Sequence, residues 1–344
     1  MAKIIAVLGA TGTQGGSVAR TFLDIEGWSV RGITRNRNSA ASQTLANLGV
    51  DLVEADLDDV SSLERAFSGA HAIFAVTDFW QFPTSPRTHD LAKAENITWN
   101  EACYRLEVQQ GINIIDAAAR CFAMTGTPER LVYSSLSGAK RASKGKYTWV
   151  YHFDSKARVV EYLAEKAQDG EGAEYKALLA KTSYLQLGSY MDNWMKNPLV
   201  MPRKQPDGSY TWLWVSGPPG STTPFVHPPT DTGPFVEALV LKTPPRTTLL
   251  GTSSVMPYAE FVRLWGDIHG VKASLQSLSV EDVDKLVPGG LGREVGETAA
   301  YTQEFGWDGG EGTLLPEQAG VGVKRLTDVE TYIRTTDWSA VFAQ

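Results

Sequence analysis

The stretch "KIIAVLGATGTQGG" (residues 3–16) decides how this 344-residue chain folds. Residues 3–10 are an apolar run rich in β-branched side chains, the pattern of a strand buried on both faces. Gly9, Gly12 and Gly15 then give G-x-x-G-x-x-G, and "SVARTFLDIEGW" (17–28) continues with helical apolar spacing. Between a strand and a helix, such glycines let the backbone approach a pyrophosphate. The helix N-terminus adds unpaired N–H groups and the positive end of its dipole. A tight turn alone explains three glycines; further strand–helix units behind them favour a dinucleotide site. Thr11, Thr13 and Gln14 fall in the same loop and join Gly9, Gly12 and Gly15 as candidate cofactor-binding residues.

Working outward, "SVRGITR" (29–35) reads as a second strand, "SAASQTLANLG" (39–49) as a helix and "VDLVEAD" (50–56) as a third strand. "SSLERAFSGA" (61–70) is a short helix with Ser61 or Ser62 expected at its N-cap. "AHAIFAVTD" (70–78) and "LVYSSLS" (131–137) are strands four and five, separated by a long helix over about 100–122. This alternation implies α/β architecture, a doubly wound parallel Rossmann sheet with a smaller C-terminal α/β lobe. The expected division is a dinucleotide-binding domain over 1–183, with 184–344 mainly forming the lobe and some segments returning to the sheet. In the lobe, "YMDNWMKN" (190–197), "YAEFVRLWGDIHG" (258–270) and "VEDVDKLVPGG" (280–290) read as helices. The Pro- and Gly-rich segment 215–234 reads as loops roofing a cleft.

Composition narrows the class. A net charge of −7 and a pI near 5.4 argue against a nucleic-acid surface, which needs a basic face. Two cysteines, Cys103 and Cys121, lack metal-type spacing and suit a reducing compartment. The first apolar run is too short for a signal peptide, and no stretch is apolar enough to span a membrane. The expectation is a soluble cytoplasmic protein without a metal site; the oligomeric state is left open.

The choice of dinucleotide turns on strand two. An NAD-type site places an acid at its end to bind the ribose 2′-OH, yet residues 29–50 contain none. They contain Arg31, Arg35 and Arg37, with Arg35 where the acid would be. A guanidinium binds a 2′-phosphate through charge-assisted hydrogen bonds, so NADP is expected, with Arg35 and Arg37 as its candidates. Solvated surface arginines are the plainer explanation. Asp56 and Leu57 follow strand three and are candidates at the adenine. Thr77, Asp78 and Phe79 follow strand four, near the expected diphosphate and nicotinamide ribose.

The residues quoted so far, with "EVQQGINIIDAA" (107–118) and "YHFDSKARVVEYL" (151–163), resemble NmrA-like proteins of the atypical short-chain dehydrogenase/reductase group. The resemblance continues through "YLQLGSYMDNW" (184–194), "PDGSY" (206–210), "HPPTDTGPFV" (227–236) and "MPYAEFVRLW" (256–265), and covers most of the chain. Residues 80–99 and 164–180 look longer than usual, the former as a loop. The resemblance implies an extended Rossmann fold, NADP over NAD, and two kinds of member. Some are sensors acting through a protein partner, and others reduce small organic molecules.

Short-chain reductases place a Tyr four residues before the Lys; here Lys156 is preceded at that position by His152, with Tyr151 one step earlier. Residues 152 and 156 lie one turn apart on a helix face. Lys156 can bind the nicotinamide ribose and tune a neighbouring acid, and an imidazole is a serviceable proton donor. The candidate catalytic residues are therefore Lys156, His152, Tyr151 and Ser134, with Ser135 beside it. Against this, His152 can simply line the helix start, and Asp154 and Ser155 look like ordinary N-terminal helix residues. Tyr190, Asn193, Trp194 and His227 are candidates for the substrate pocket, although aromatic residues at helical spacing are more often core. The sequence favours an NADP-dependent reductase acting on a small carbonyl, imine or enone. The alternative is a non-catalytic NADP-binding redox sensor that regulates a protein partner.

Overall fold

A computed structural model describes residues 2–169, 172–195, 197 and 199–344. The first half alternates: β1 (Lys3–Val7), α1 (Thr13–Leu23), β2 (Trp28–Thr34), α2 (Ala40–Asn47), β3 (Asp51–Glu54), α3 (Val60–Phe67), β4 (Ala72–Ala75), α4 (Pro86–Glu95), α5 (Trp99–Thr125), β5 (Arg130–Ser135), α6 (Ala139–Ala142), α7 (Tyr151–Gln168) and α8 (Ala173–Leu179). The second half holds β6 (Thr182–Leu187), β7 (Ser189–Tyr190), β8 (Arg203–Lys204), β9 (Tyr210–Val215), β10 (Thr223–Val226), α9 (Pro228–Leu241), β11 (Thr248–Gly251), β12 (Ser254–Met256), α10 (Tyr258–His269), β13 (Ala273–Leu278), α11 (Val280–Leu286), α12 (Leu291–Phe305), α13 (Val329–Thr335) and α14 (Ser339–Phe342).

The expected doubly wound sheet is present. Seven strands pair in the order β11-β6-β5-β4-β1-β2-β3, and each of these pairings is parallel. The order reverses between β1 and β4, which opens a crevice at the C-terminal strand ends. One face is covered by α1 and α9, whose Val18, Phe22, Phe235 and Leu239 pack with Val7, Phe74 and Leu185. The other face buries Ile114 and Ile115 of α5 and Val159 and Leu163 of α7 against Ala6, Ile73 and Tyr133. Contact between α1 and α9 is close because Gly233 has no side chain. A Cβ there would lie 2.0 Å from Thr21 Oγ1, and the Gly233 N–H donates to Ser17 Oγ at 2.9 Å.

Two small sheets, β12-β10-β7 and β13-β9-β8, build the C-terminal lobe with α10 and α12–α14. Its core is aromatic, with Trp194, Trp212, Trp265 and Trp338 buried around Phe225 and Phe261. Among the described residues no helix is long and apolar enough to cross a membrane.

Several local expectations are corrected. Asp59, not Ser61 or Ser62, caps α3: its carboxylate accepts the N–H groups of both serines at 3.0 and 3.2 Å. A carboxylate one residue earlier offers a stronger acceptor than either hydroxyl. Residues 80–99 are not a loop but hold the end of a 3₁₀ turn (Phe79–Gln81) and all of α4, which starts on Pro86. "YMDNWMKN" is strand β7 followed by a 3₁₀ turn (Asn193–Met195), with Lys196 outside the described residues. The segment 215–234 contains β10 and the start of α9, so part of the supposed roof is sheet and part covers the Rossmann face. In 164–180, α7 ends at Gln168 and α8 begins at Ala173, with residues 170–171 outside the described set.

Candidate functional site

The crevice at the β1/β4 switch continues into the C-terminal lobe as one cleft of about 1140 Å³. Gly9, Thr11, Gly12, Thr13, Gln14 and Gly15 line its first end. Gly9 takes φ +60°, a left-handed conformation that suits glycine, and its carbonyl accepts the Gly12 N–H at 2.8 Å. Gly12 caps α1 without any side-chain bond, and the first turn carries no acid, so the helix end is open to an anion. At Gly15 a Cβ would sit 2.3 Å from the Gly9 carbonyl oxygen, so only glycine permits this strand-to-helix packing.

Arg35, Asn36 and Ser39 line the same end. Arg35 is exposed, makes no ion pair among the described residues, and reaches Gln81 Oε1 only at 3.4 Å. The two neighbouring arginines are placed differently. Arg31 donates to the carbonyls of Ala66 and Ser68 at 2.9 and 2.7 Å, a structural role. Arg37 lies in the turn before α2, donates its backbone N–H to Glu54, and is not part of the cleft lining. Asp56, Leu57, Thr77, Asp78 and Phe79 all line the cleft, and Asp78 caps the 3₁₀ turn through the Trp80 N–H.

The middle of the cleft is a buried polar network. Lys156 lines it with a side chain only 11% exposed, and its ammonium donates to Glu107, to Thr77 O at 3.1 Å and to Thr77 Oγ1 at 3.2 Å. Glu107 is fully buried and also accepts from Thr77 Oγ1 at 2.8 Å and from Ser155 Oγ. Ser155 is therefore a partner of Glu107 rather than a cap. All three ammonium donors are engaged and the charge is locally neutralised, so Lys156 braces α7 against α5 and the segment that follows β4.

His152 lies one turn earlier, with 15% of its side chain exposed. Its Nδ1 is 2.7 Å from Glu294 Oε1, and its backbone N–H donates to the same oxygen at 3.0 Å. Glu294 belongs to α12, is fully buried, and accepts Asn100 Nδ2 at 3.0 Å on its other oxygen. A carboxylate partner on Nδ1 selects the Nδ1–H form of the ring. Nε2 is left without a protein hydrogen bond among the described residues, on a ring bordered by Phe79, Trp80 and Phe153. Tyr151 does not share this position. Because α7 begins at Tyr151 itself, its ring turns toward Tyr104 and Trp149, outside the cleft lining, and burial raises its pKa.

Ser134 and Ser135 line the cleft, but Ser134 Oγ donates to Gln14 Oε1 at 2.8 Å. Gln14 Nε2 in turn donates to Tyr190 Oη at 2.7 Å, tying the glycine loop to β5 and β7. Burial drives the Tyr190 pKa upward, which makes it a poor acid. Asn193 is exposed on the cleft wall. Trp194 lines the cleft but stacks on Trp338 at 4.3 Å and donates to Tyr332 Oη at 2.9 Å, so it is mainly core. His227 is not in the lining. It precedes α9, with Nδ1 3.0 Å from Thr230 Oγ1 and its ring against Tyr332.

The far end is an aromatic chamber in which Trp214 stacks on Tyr258 at 4.2 Å and Phe225 on Phe261 at 5.0 Å, closed by Val295 and Ala299 of α12. Sequence reasoning missed Glu107 and Glu294 as site residues. A signal existed for both: Cys103, Glu107, Gln110 and Ile114 share the buried face of α5, as Glu294, Glu297 and Tyr301 share that of α12. A carboxylate on a buried helical stripe implies a partner.

A family model described as the NmrA-like family matches residues 1–333. The NmrA-like family domain-containing oxidoreductase himF of Aspergillus japonicus is 30% identical over 292 residues, covering 80% of this chain and 76% of that protein. The corresponding oxidoreductase cpsB of Aspergillus campestris is 34% identical over 163 residues, 46% of this chain and 41% of cpsB, so the chain spans less than half of that relative. Among solved structures, the negative transcriptional regulator NmrA in complex with NAD aligns with a TM-score of 0.68 at 19% identity, over 99% of this chain and 97% of that one.

Proposed function

The chain belongs to the NmrA-like family, and from that premise we propose that it is an NADP-dependent reductase of small organic carbonyls, imines or enones. Relatives named as oxidoreductases, and a like-folded regulator solved with NAD, support a nicotinamide dinucleotide as the ligand. The glycine loop and the open α1 N-terminus would hold its diphosphate, Arg35 its 2′-phosphate, and the 77–79 segment its nicotinamide ribose. The uncapped Gly12 and the free Arg35 guanidinium fit that group. When bound in reduced form it supplies a hydride.

The observation that carries a catalytic reading is His152. Its ring opens onto the same cleft as the glycine loop, while a buried carboxylate holds its Nδ1. In this reading the ring takes the place of the missing Tyr and, as the imidazolium with Nδ1–H on Glu294, delivers its Nε2 proton to the substrate atom that receives the π pair. The aromatic chamber excludes water and offers apolar walls to the rest of the substrate. Lys156 maintains the helix that carries His152 rather than acting as a free cation. The reading places the protein in the cytoplasm, where its free cysteines stay reduced.

Turnover of NADPH against a panel of carbonyls, imines and enones tests this, with wild type and His152→Ala compared. At least one substrate should turn over, with kcat about 100-fold lower in the variant. Tight binding that differs between NADPH and NADP⁺, with no turnover across the panel, would instead favour the sensor. The engaged donors of Lys156 and the likeness to a transcriptional regulator support that second reading.

A further inference from the structure

We propose that Glu294, supplied by the C-terminal lobe, is the positioning residue that sets His152 for proton transfer. The inference rests on the reductase reading, and it concerns how the acid is built. Helix α7 has no side-chain cap of its own: Val150 stands at its N-cap. Two carboxylates of α12 instead take N–H groups at its start and in the two residues before its N-cap. Glu297 Oε2 accepts the N–H groups of Thr148 and Trp149 at 2.7 and 2.9 Å, and Glu294 accepts that of His152.

A purely capping carboxylate would stop at the backbone. Glu294 Oε1 also takes the Nδ1 of the same residue, so one oxygen clamps both the main chain and the ring of His152. Asn100 holds the second oxygen, and full burial keeps water from competing for either. The ring is thereby fixed in one orientation, with Nδ1–H held on Glu294 and Nε2, protonated in the imidazolium that precedes transfer, the nitrogen left for the cleft. Because the clamp spans the two lobes, the proton donor is complete only when α12 is docked beside the start of α7.

In the step this serves, a bound reduced nicotinamide would supply a hydride, and with it two electrons, to the substrate carbon. The substrate's π pair moves onto its oxygen or nitrogen, or onto the α-carbon of an enone, and that atom takes the Nε2 proton. His152 is then neutral, still donating Nδ1–H to Glu294, and regains its Nε2 proton from solvent.

The test uses the full chain and has two independent arms. In the first, nitrogen NMR of ¹⁵N-histidine-labelled protein reads the His152 tautomer, with His152→Ala to assign the signal. In its neutral form the wild-type ring should show only the Nδ1–H tautomer, and Glu294→Gln a mixture of the two. In the second, Glu294→Gln should lower kcat about 100-fold or more while leaving the affinity for NADPH within about 2-fold. Added to His152→Ala it should cost nothing further, because both changes remove one device.

Glu297→Gln is the control: it weakens the same helix start without touching the ring and should lower stability but not kcat. If Glu294→Gln does not fold, Glu294→Asp carries the comparison. An unchanged tautomer in Glu294→Gln, or additive losses in the double variant, would overturn the proposal while leaving His152-dependent turnover intact. If no substrate turns over, the reductase reading fails by itself, and the NMR arm still decides whether Glu294 fixes the ring.

Discussion

Lys156 and Glu107 form an ion pair sealed between α7 and α5, with the carboxylate fully buried and the ammonium nearly so. Removing one member of such a pair strands a charge away from water, at a cost of about 3–5 kcal/mol. Glu107→Ala should therefore lower the unfolding free energy by about that amount in urea titrations. Replacing both by apolar residues, Glu107→Leu with Lys156→Met, should recover most of it. Equal destabilisation by the single and double changes would show that the pair is not what holds the helices.

On the proposed reading, a preference for NADP over NAD should rest on Arg35. Its guanidinium makes no ion pair among the described residues and lines the cleft, whereas Arg31 donates to backbone carbonyls and Arg37 lies outside the lining. A charge-assisted contact of about 1.5–3 kcal/mol corresponds to roughly a 10- to 100-fold preference. Calorimetric titration with NADPH and NADH should show Arg35→Ala losing that factor for NADPH alone. A preference that survives the change would place the 2′-phosphate elsewhere.

The fold was largely legible because its signals are local. Apolar strand runs, the glycine cluster and helical spacing each lie within a dozen residues, and together they specify a parallel sheet whose switch point predicts the cleft. The cleft brings together the glycine loop, Arg35, the 77–79 segment, Lys156 and His152. What was not legible depends on distance in the chain. Glu294 meets His152 across 142 positions and Glu107 meets Lys156 across 49, and although a buried helical stripe implies that each carboxylate has a partner, no periodicity says which residue it is. Tyr151 was misplaced for a smaller reason: moving a helix start by one residue rotates a side chain by about 100°. His227 failed because a loop reading concealed the start of α9.

Gly15→Ala should abolish dinucleotide binding and lower stability together. The added methyl would meet three backbone atoms within 2.6 Å, the carbonyl oxygens of Gly9 and Leu8 among them. No side-chain rotation relieves a backbone clash, so either β1 or α1 must shift and the anion-facing turn is lost. Gly12→Ala is the informative comparison, because its Cβ would approach the Gly9 oxygen only to 3.2 Å. It should retain the fold and reduce affinity more modestly, with thermal unfolding and fluorescence titration separating the two. Normal binding by Gly15→Ala would mean that the loop adjusts more freely than its packing suggests.

Asp154 should make the protein less stable as pH rises through mildly acidic values. Burial pushes its carboxyl up to about 6 from the ordinary 3.8, although it accepts the Lys140 N–H at 3.1 Å. The sign follows from proton uptake. Between 3.8 and about 6 the folded chain binds a proton that the unfolded chain has released, so this group's contribution falls as pH increases and is lowest above about 6. The penalty is at most about 3 kcal/mol. It exceeds the roughly 0.3–1 kcal/mol that an acid gains at the first turn of a helix. Asp154→Asn keeps an oxygen for the Lys140 N–H while removing the buried charge. It should raise the melting temperature by about 2–5 °C at pH 8 and make little difference at pH 4. A variant less stable than wild type at pH 8 would mean that the charged form is favoured at the start of α7, through the helix dipole and the neighbouring His152.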